Sequence, residues 1–533
     1  MRRWNGWGDE SNHYPLKEEA KQFLGQQIGP GNPLPDASLE TVIASVPASR
    51  LPEHPLINTD AEHRVRHARG QSLPDWLALH SGNIGQFPDG VAFPESADQV
   101  RELMNYAVQN HVELITYGGG SSVAGHINPR PSERPTLTLS MLNFNQLIHL
   151  DRESNLATFG AGTPGPLIES QLKPHGYMLG HFPQSWELST VGGWVASRSS
   201  GQQSLRYGRI EQLFAGANIE TTEGTLSIPT IPASSAGPDI REIILGSEGR
   251  MGVITDVTVR VSPLPEQERF YVVFFPDWDS GVQAVRYLTQ QRIPLSMMRL
   301  SNPQETWTQL KLAGHATAIN VLERYLSLRG ARTQKCMFTF GVTGSKAACK
   351  SALALAAPVI KQFEGVNTGT LLGKKWEENR FKSPYLRHGL WEQGYAVDTL
   401  ETAVDWVRVP AAVDAIERAI NNTLKSAGER IHVFTHLSHV YNQGSSIYTT
   451  YVFRCAKTYD ETLDRWRRIK QAASQAIIKN GGTISHQHGV GTDHAPYLKA
   501  EKGELGIAAI DRLCHQFDPN GIMNPGKLLP QDQ

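Results

Sequence analysis

The run Thr116-Tyr-Gly-Gly-Gly-Ser-Ser-Val-Ala-Gly-His126 leaves the end of an apolar segment, Val112-Glu-Leu-Ile115, that reads as a short strand. Three consecutive glycines let backbone N–H groups approach an anion and take positive φ angles that side chains disfavour. Successive N–H groups in such a turn form a concave nest for phosphate or pyrophosphate. Alone, the motif fits a plain flexible loop equally well. It lacks the lysine of a P-loop and the spacing of a Gly-x-Gly-x-x-Gly dinucleotide fingerprint, so its neighbours must decide.

Upstream, Pro88–Pro94 reads as a strand, and Ser96–Ala107 as a helix with Ser96 as N-cap and Val100, Leu103, Met104 and Ala107 as its buried stripe. With the strand at Val112 this makes a β-α-β unit whose second strand delivers the glycine turn. Downstream, strands are expected at Thr136–Ser140, Leu147–Leu150 and Asn155–Phe159, and a helix over Pro166–Lys173 closed by Gly176. The stretch Pro183–Gly201 packs small hydroxyl and glycine residues between apolar anchors, a composition suited to backbone lying against a flat, hydrogen-bonding ligand. A second glycine turn, Gly246-Ser-Glu-Gly-Arg-Met-Gly252, feeds a strand in which Val253, Thr255, Val257, Val259 and Val261 share one face.

A chain of 533 residues holds two or three domains with proper cores. Its 51 basic and 52 acidic residues balance to a net charge of -1, so nothing in the charge calls for nucleic acid. A mean hydropathy of -0.35 argues against a membrane span, as does the lack of any apolar run near ~18 residues. The start, Met1–Gly8, has no apolar signal core, and Leu529–Gln533 matches no peroxisomal address. Cys336, Cys349, Cys455 and Cys514 lie far apart without metal-ligand spacing, as reduced, buried thiols of a cytosolic protein would. The expected layout is an N-terminal arm over 1–80, a ligand-binding domain over 81–265, a covering domain over 266–480 and a returning C-terminal segment over 481–533. In the arm, Trp4 and Trp7 are expected to pin the chain to the body. Contact with a lipid or membrane surface is the alternative.

From Phe270 the pattern changes. Strands at Phe270–Phe275 and Lys335–Phe340, followed by helices over Gly281–Gln291 and Lys346–Phe363, suggest an antiparallel sheet with helices on one face. Arg380, Lys382 and Arg387 form a basic cluster that reads either as a solvated helix face or, through Arg387, as a site for phosphate or carboxylate. His432 and His436 share a strand face, and no third ligand points to a metal. Tyr448 lies in an apolar strand, where a tyrosine is ordinarily core. His486 and His488 flank Gln487 before a glycine turn, and histidine exchanges protons near neutral pH.

Taken in order, these pieces resemble the FAD-binding domain of the vanillyl-alcohol-oxidase type of flavoprotein. Within that superfamily the chain resembles the alkylglycerone-phosphate synthase family. The resemblance is carried by Trp4-Asn-Gly-Trp-Gly8, Ser189-Thr-Val-Gly-Gly-Trp-Val195, Tyr207-Gly-Arg-Ile-Glu211, Tyr385-Leu-Arg387, Ser446-Ile-Tyr448, Ser485-His-Gln-His-Gly-Val-Gly491 and Phe517–Lys527. It implies an α+β fold: a two-subdomain FAD-binding domain plus a cap domain with an antiparallel sheet. FAD would be held without a covalent bond, since His126 does not stand at the spacing of a flavin linkage. Its pyrophosphate would lie on Thr116, Tyr117, Gly118, Gly119, Gly120, Ser121 and Ser122. Further cofactor contacts would come from Gln184, Ser185, Trp186, Glu187, Leu188, Ser189 and Thr190, and from Ser197, Arg198, Ser199 and Ser200. The last set is Glu248, Gly249, Arg250, Met251, Gly252, Val253 and Ile254.

The same resemblance implies that Arg387 binds substrate and that Tyr448, His486, His488 and Arg260 are catalytic. Two positions depart from the family pattern: Gln487 replaces the middle histidine of three, and Ser446 replaces a cysteine. The reaction implied is exchange of the acyl group of acyl-dihydroxyacetone phosphate for a long-chain alcohol, with the flavin N5 holding the dihydroxyacetone-phosphate part and no net redox change. The other chemistry that suits the fold is an FAD-dependent dehydrogenase of a 2-hydroxy acid such as D-lactate, with Arg387 on the carboxylate and a histidine of 486–488 as base. Expected partners are these lipid substrates and a second copy of the chain as a homodimer, and the expected location is cytoplasmic with peripheral membrane contact.

Overall fold

Alternation along the strands of the cap sheet divides its residues between two environments. In Cys336–Gly344, Phe338, Phe340 and Val342 face a large apolar core, while Met337 and Thr339 face the opposite way, into a cavity. Gly444–Arg454 does the same, with Ile447, Tyr451 and Phe453 in the core and Tyr448, Thr450 and Val452 on the cavity. A period of two in a pleated strand makes one face core and the other a wall.

The computed structural model describes residues 1–312 and 316–530, so Gln531, Asp532 and Gln533 of the stretch Leu529–Gln533 lie outside the described residues. The cap sheet has seven strands, all antiparallel, in the order Val366–Asn367, Gln267–Phe275, Cys336–Gly344, Met297–Ser301, His432–Leu437, Gly444–Arg454 and Tyr395–Asp405. Its core face is covered by the helices Trp278–Gln290, Lys346–Gln362, Val409–Thr423 and Tyr459–Lys479. Covering one face and leaving the other to line a space is the usual use of an antiparallel sheet.

The first part of the chain forms two smaller sheets. In one, Gly90–Ala92 and Glu113–Tyr117 both run parallel to Thr136–Ser140, which lies between them, and Ile57–Asn58 pairs antiparallel at the outer edge. The β-α-β unit is therefore present with a third strand inserted into it. Its helix, Ala97–Gln109, is capped by the Ser96 hydroxyl, which accepts from the Gln99 N–H, and buries Val100, Leu103, Met104 and Ala107 with Tyr106. The free edge of Glu113–Tyr117 is taken by the C-terminal segment: Leu114 donates to the Ile522 carbonyl at 2.8 Å and accepts from Asn524 at 2.7 Å. The other sheet has five antiparallel strands, ordered Leu147–Asp151, Leu156–Gly160, Val253–Arg260, Phe214–Thr221 and Gly224–Ile228. The fold is α+β, with the glycine turn at the open end of the parallel strands. Among the described residues, no helix is long and apolar enough to cross a membrane.

Candidate functional site

A cavity of about 1400 Å³ lies between the glycine turn and the cap sheet. Such a volume exceeds the ~300–1,000 Å³ of an ordinary small-molecule site. Three sequence segments meet on its near side. Thr116 and Gly118–Ser122 border it from the end of the parallel sheet, Gln184, Ser185, Ser189, Thr190, Ser197, Ser199 and Ser200 from the second, and Glu248, Gly249, Gly252 and Ile254 from the third.

The turn is held from behind by backbone packing, since a Cβ on Gly119 would stand 1.6 Å from the Leu188 carbonyl oxygen. Gly120 takes φ +64, and its amide N–H, like those of Gly119 and Ser121, finds no acceptor among the described residues. The buried Thr116 hydroxyl is likewise without a partner. Unsatisfied buried donors are rare in folded proteins. Here they converge on a cavity edge, the arrangement a diphosphate would satisfy, so the residues present fit FAD.

Not every residue expected at the cofactor borders the cavity. Tyr117 points back, its hydroxyl 3.4 Å from the Arg66 carbonyl oxygen. The Trp186 ring stacks on Phe381 at 4.7 Å, and Glu187 accepts from the Tyr385 hydroxyl at 2.6 and 2.8 Å, tying this segment to the cap. Leu188 lies behind Gly119, its carbonyl against that glycine. Arg198 closes the helix Val191–Ser197 in a left-handed conformation, φ 53, and donates to Glu242. Arg250 donates to the Lys527 carbonyl at 3.1 Å, while Met251 and Val253 are core.

Glu248 links the segments. Its φ of 52 places a non-glycine residue in the left-handed region, a strain that persists only where surroundings over-determine it. The surroundings are all here. Its carboxylate accepts from the Val490 and Gly491 amides at 2.5 and 2.8 Å, its carbonyl accepts from Asn524 Nδ2 at 2.7 Å, and His126 Nε2 lies 3.2 Å away. Burial disfavours charge on His126, but the adjacent Glu248 carboxylate outweighs it and raises the imidazole above its ordinary value. The other ring nitrogen sits 2.6 Å from the Ser122 hydroxyl. His126 thus joins the glycine turn to Glu248 at the cavity edge.

On the far side, Arg387 projects from the helix Ser383–Glu392 and borders the cavity. Its guanidinium lies 4.6 Å over the Trp76 ring and donates through Nη1 to the Gln71 carbonyl at 2.6 Å. Nε and Nη2 are buried without a partner. Burial drives its pKa below the ordinary arginine value, opposed by Asp398 and Asp75. The basic cluster therefore divides: Lys382 is exposed, Arg380 lies over Phe182 and Phe381 at 4.7 and 4.9 Å, and Arg387 alone carries unpaired buried N–H groups.

Tyr448 borders the cavity from the sheet, its hydroxyl donating to Thr399 Oγ1 at 3.1 Å, and burial pushes its phenol well above the ordinary range. Its ring stacks on His436 at 4.9 Å. His488 and Gln487 border the cavity; the carboxylate Oε1 of Glu401 accepts from both of their amides, at 2.7 and 2.6 Å. Burial lowers the His488 pKa against the pull of Glu401.

Two sequence placements differ from the structure. His486 is turned away from the cavity, with Nε2 at 2.6 Å from the Tyr441 hydroxyl and 2.7 Å from Arg209 Nη1; burial, His439 and Arg209 push it well below its usual value. Residues 486–488 form a bend rather than a strand, so their side chains do not alternate, and Gln487 and His488 reach the cavity while His486 does not. Arg260, at the outer end of Val253–Arg260, spends Nη1 on the carbonyls of Gln212 and Phe214 at 3.0 and 2.8 Å, in the five-stranded sheet.

His436 has two partners that the sequence does not announce, Arg299 and Glu305. Arg299, Glu305 and His436 form a buried polar cluster on the cavity wall, with Arg299 Nη2 donating to Glu305 Oε1 at 2.5 Å and His436 Nδ1 at 3.1 Å from Glu305 Oε2, while burial and Arg299 lower the His436 pKa. Burial opposes ionisation of Glu305, yet His436 and Arg299 hold its carboxyl down at about 2. The available signal was a lone arginine in the otherwise apolar strand Met297–Ser301.

Two family models match the chain: residues 88–228 fit an FAD binding domain, and residues 264–528 fit the C-terminal domain of FAD linked oxidases. FAD is thus the cofactor for which the first domain is built. An alkyldihydroxyacetonephosphate synthase of Dictyostelium discoideum is 30% identical over 98% of this chain and 85% of its own length. One from Trypanosoma brucei brucei is 28% identical over 99% and 92%. A solved alkyldihydroxyacetonephosphate synthase structure superposes with a TM-score of 0.85 at 26% identity, covering 99% of both chains. Related at 30% identity and superposed over nearly its whole length, the chain belongs to the alkyldihydroxyacetonephosphate (alkylglycerone-phosphate) synthase family.

Proposed function

We propose that the chain exchanges the acyl group of acyl-dihydroxyacetone phosphate for a long-chain alcohol, forming an ether-lipid precursor. The observation that carries this reading is one continuous cavity with the glycine turn at one side and an apolar wall at the other. Phe23, Leu24, Leu310, Ile319, Leu372 and Val452 belong to that wall. A long alkyl chain gains about 0.8 kcal/mol per buried methylene in such surroundings, whereas a small 2-hydroxy acid has no use for it.

Bound FAD supplies an electron-rich ring nitrogen beside which a substituent on the substrate carbon can be exchanged without net oxidation. Arg387 holds the phosphate or steers the departing carboxylate, since its unpaired Nε and Nη2 gain an anionic acceptor. Tyr448, kept protonated by burial, turns its single hydroxyl proton from Thr399 Oγ1 to a substrate oxygen. His488 is neutral and able to take the proton of the incoming alcohol, while Glu401 fixes its backbone. FAD is held noncovalently, because His126 is already engaged by Ser122 and Glu248. Leu312 both borders the cavity and is exposed, and Val321 and Leu371 are exposed on neighbouring helices, which supports peripheral contact with a lipid surface. The chain acts as a cytoplasmic homodimer in this reading; sedimentation at micromolar concentration tests the dimer.

The deciding experiment mixes the yellow holoprotein anaerobically with acyl-dihydroxyacetone phosphate. Bleaching of the flavin band with release of fatty acid, and no electron acceptor present, is the expected result. Bleaching by D-lactate or 2-hydroxyglutarate that an acceptor dye reverses would replace this reading with the dehydrogenase.

A further inference from the structure

Trp4-Asn-Gly-Trp-Gly8 is the sequence motif to which the proposed reaction gives no role. In the structure its two tryptophans part company. Trp4 packs on the small apolar cluster of Val42, Val65 and Leu79, whereas Trp7 is buried on the cavity wall, its indole N–H without a partner. The segment doubles back as a tight loop, with the backbones of Arg2 and Asp9 paired antiparallel and the Arg3 amide donating to the Gly8 carbonyl at 2.9 Å. Its glycines are required by what they touch. A Cβ on Gly6 would meet His388 Nε2 at 2.1 Å, and one on Gly8, at φ +74, would meet the Tyr385 hydroxyl at 2.2 Å.

The loop thereby places Arg2 behind the glycine turn. Its carbonyl accepts from Arg66 Nη1 at 2.9 Å, and its Nη2 donates to the Gly119 carbonyl at 2.5 Å. Among the described residues no carboxylate forms an ion pair with Arg2. The Gly119–Gly120 peptide is trans, so its N–H points opposite to its C=O. A cation on the carbonyl outside the turn therefore fixes the Gly120 N–H toward the cavity and makes it a stronger donor, because hydrogen bonds in a chain polarise one another.

We propose that Arg2 is a positioning residue of the FAD site. It orients and polarises the Gly119–Gly120 peptide from behind, so that the Gly120 amide serves the FAD diphosphate. The inference rests on the reading of the Thr116–Ser122 turn as the diphosphate cradle. It makes the N-terminal loop part of the cofactor site and gives the conformation around Gly6 and Gly8 a purpose.

The test uses the full chain, stripped of flavin and reconstituted, with affinities for FAD and for riboflavin read from fluorescence quenching. Riboflavin has the same ring and no phosphate. Arg2→Ala is expected to weaken FAD about tenfold, the scale of one charge-assisted hydrogen bond, and to leave riboflavin unchanged. Arg2→Lys should restore most of the FAD affinity. Unchanged FAD binding in Arg2→Ala overturns the inference, as does an equal loss for both flavins, which would mean that the loop merely holds the fold together. Thr116→Val separates the two levels of the argument, because it removes the unpartnered hydroxyl from the cradle itself. Weaker FAD binding in Thr116→Val with none in Arg2→Ala overturns the role of Arg2 alone, and no effect in either variant overturns the cradle.

Discussion

Arg387 shows how little of a side chain's chemistry lies in its type. Three cations stand close together in sequence, yet Lys382 is exposed, Arg380 is spread over aromatic rings, and Arg387 has two buried, unpaired nitrogens. Arg387→Ala should keep FAD, which lies on other segments, and lose about a hundredfold in turnover, as removal of a buried charged contact does; visible absorbance and fatty acid release measure the two. The resemblance pointed to this residue, but its isolation was invisible because it depends on Trp76 and Gln71, far away in the chain. The pairing of His436 with Arg299 and Glu305 was illegible for the same reason: strand, helix and a second strand contribute one residue each. Glu305 carries a pH signature. Its carboxyl is held at about 2 against an ordinary 4.5, so the folded state binds its proton less readily than the unfolded state. The stability it contributes is complete above pH 4.5 and is lost as pH falls toward 2. Urea denaturation of wild type and Glu305→Gln should therefore differ by about 3 kcal/mol near neutrality, and the difference should shrink across that acid window.

Among elements, local pattern was legible and long-range order was not. The helix Ala97–Gln109 and its Ser96 cap follow from a 3.6-residue stripe, and the strand into the glycine turn follows from its apolar run. Nothing local announces that Thr136–Ser140 inserts between Gly90–Ala92 and Glu113–Tyr117, since pairing partners are chosen by the whole fold. The two glycine-bearing elements at the cofactor side respond differently to a methyl group. Gly119→Ala drives a Cβ onto the Leu188 carbonyl at 1.6 Å and should cost on the order of 3 kcal/mol or more together with FAD. Gly193, in the helix Val191–Ser197, offers a Cβ no neighbour nearer than Thr190 Oγ1 at 3.3 Å and borders the cavity. Gly193→Ala should hold or raise the melting temperature, a helix gaining about 1 kcal/mol from alanine, while FAD binds more weakly. Thermal melts followed by protein and by flavin fluorescence distinguish the two cases.

On the scale of the whole molecule, the site is closed by residues from both ends of the chain. Asn524 borders the cavity and donates through Nδ2 to the carbonyls of His126 and Glu248 at 3.0 and 2.7 Å. Asn524→Ala leaves two buried carbonyls without a donor, and a loss of about 2 kcal/mol is expected, with faster flavin release measured by dilution into flavin-free buffer. The motif Phe517–Lys527 was legible as a shared turn; that it completes the edge of Glu113–Tyr117 was not, because a strand edge and its cover share no local pattern. This return also fixes an order of events during biosynthesis. While residues 522–524 are still inside the ribosomal exit tunnel, Leu114 has neither of its edge hydrogen bonds and Glu248 lacks the donor on its carbonyl. Flavin loading then belongs to the period after this returning segment has emerged and docked, and a chain cut short before Ile522 would accumulate as an apoprotein with a raw sheet edge, a natural target for chaperones and proteases.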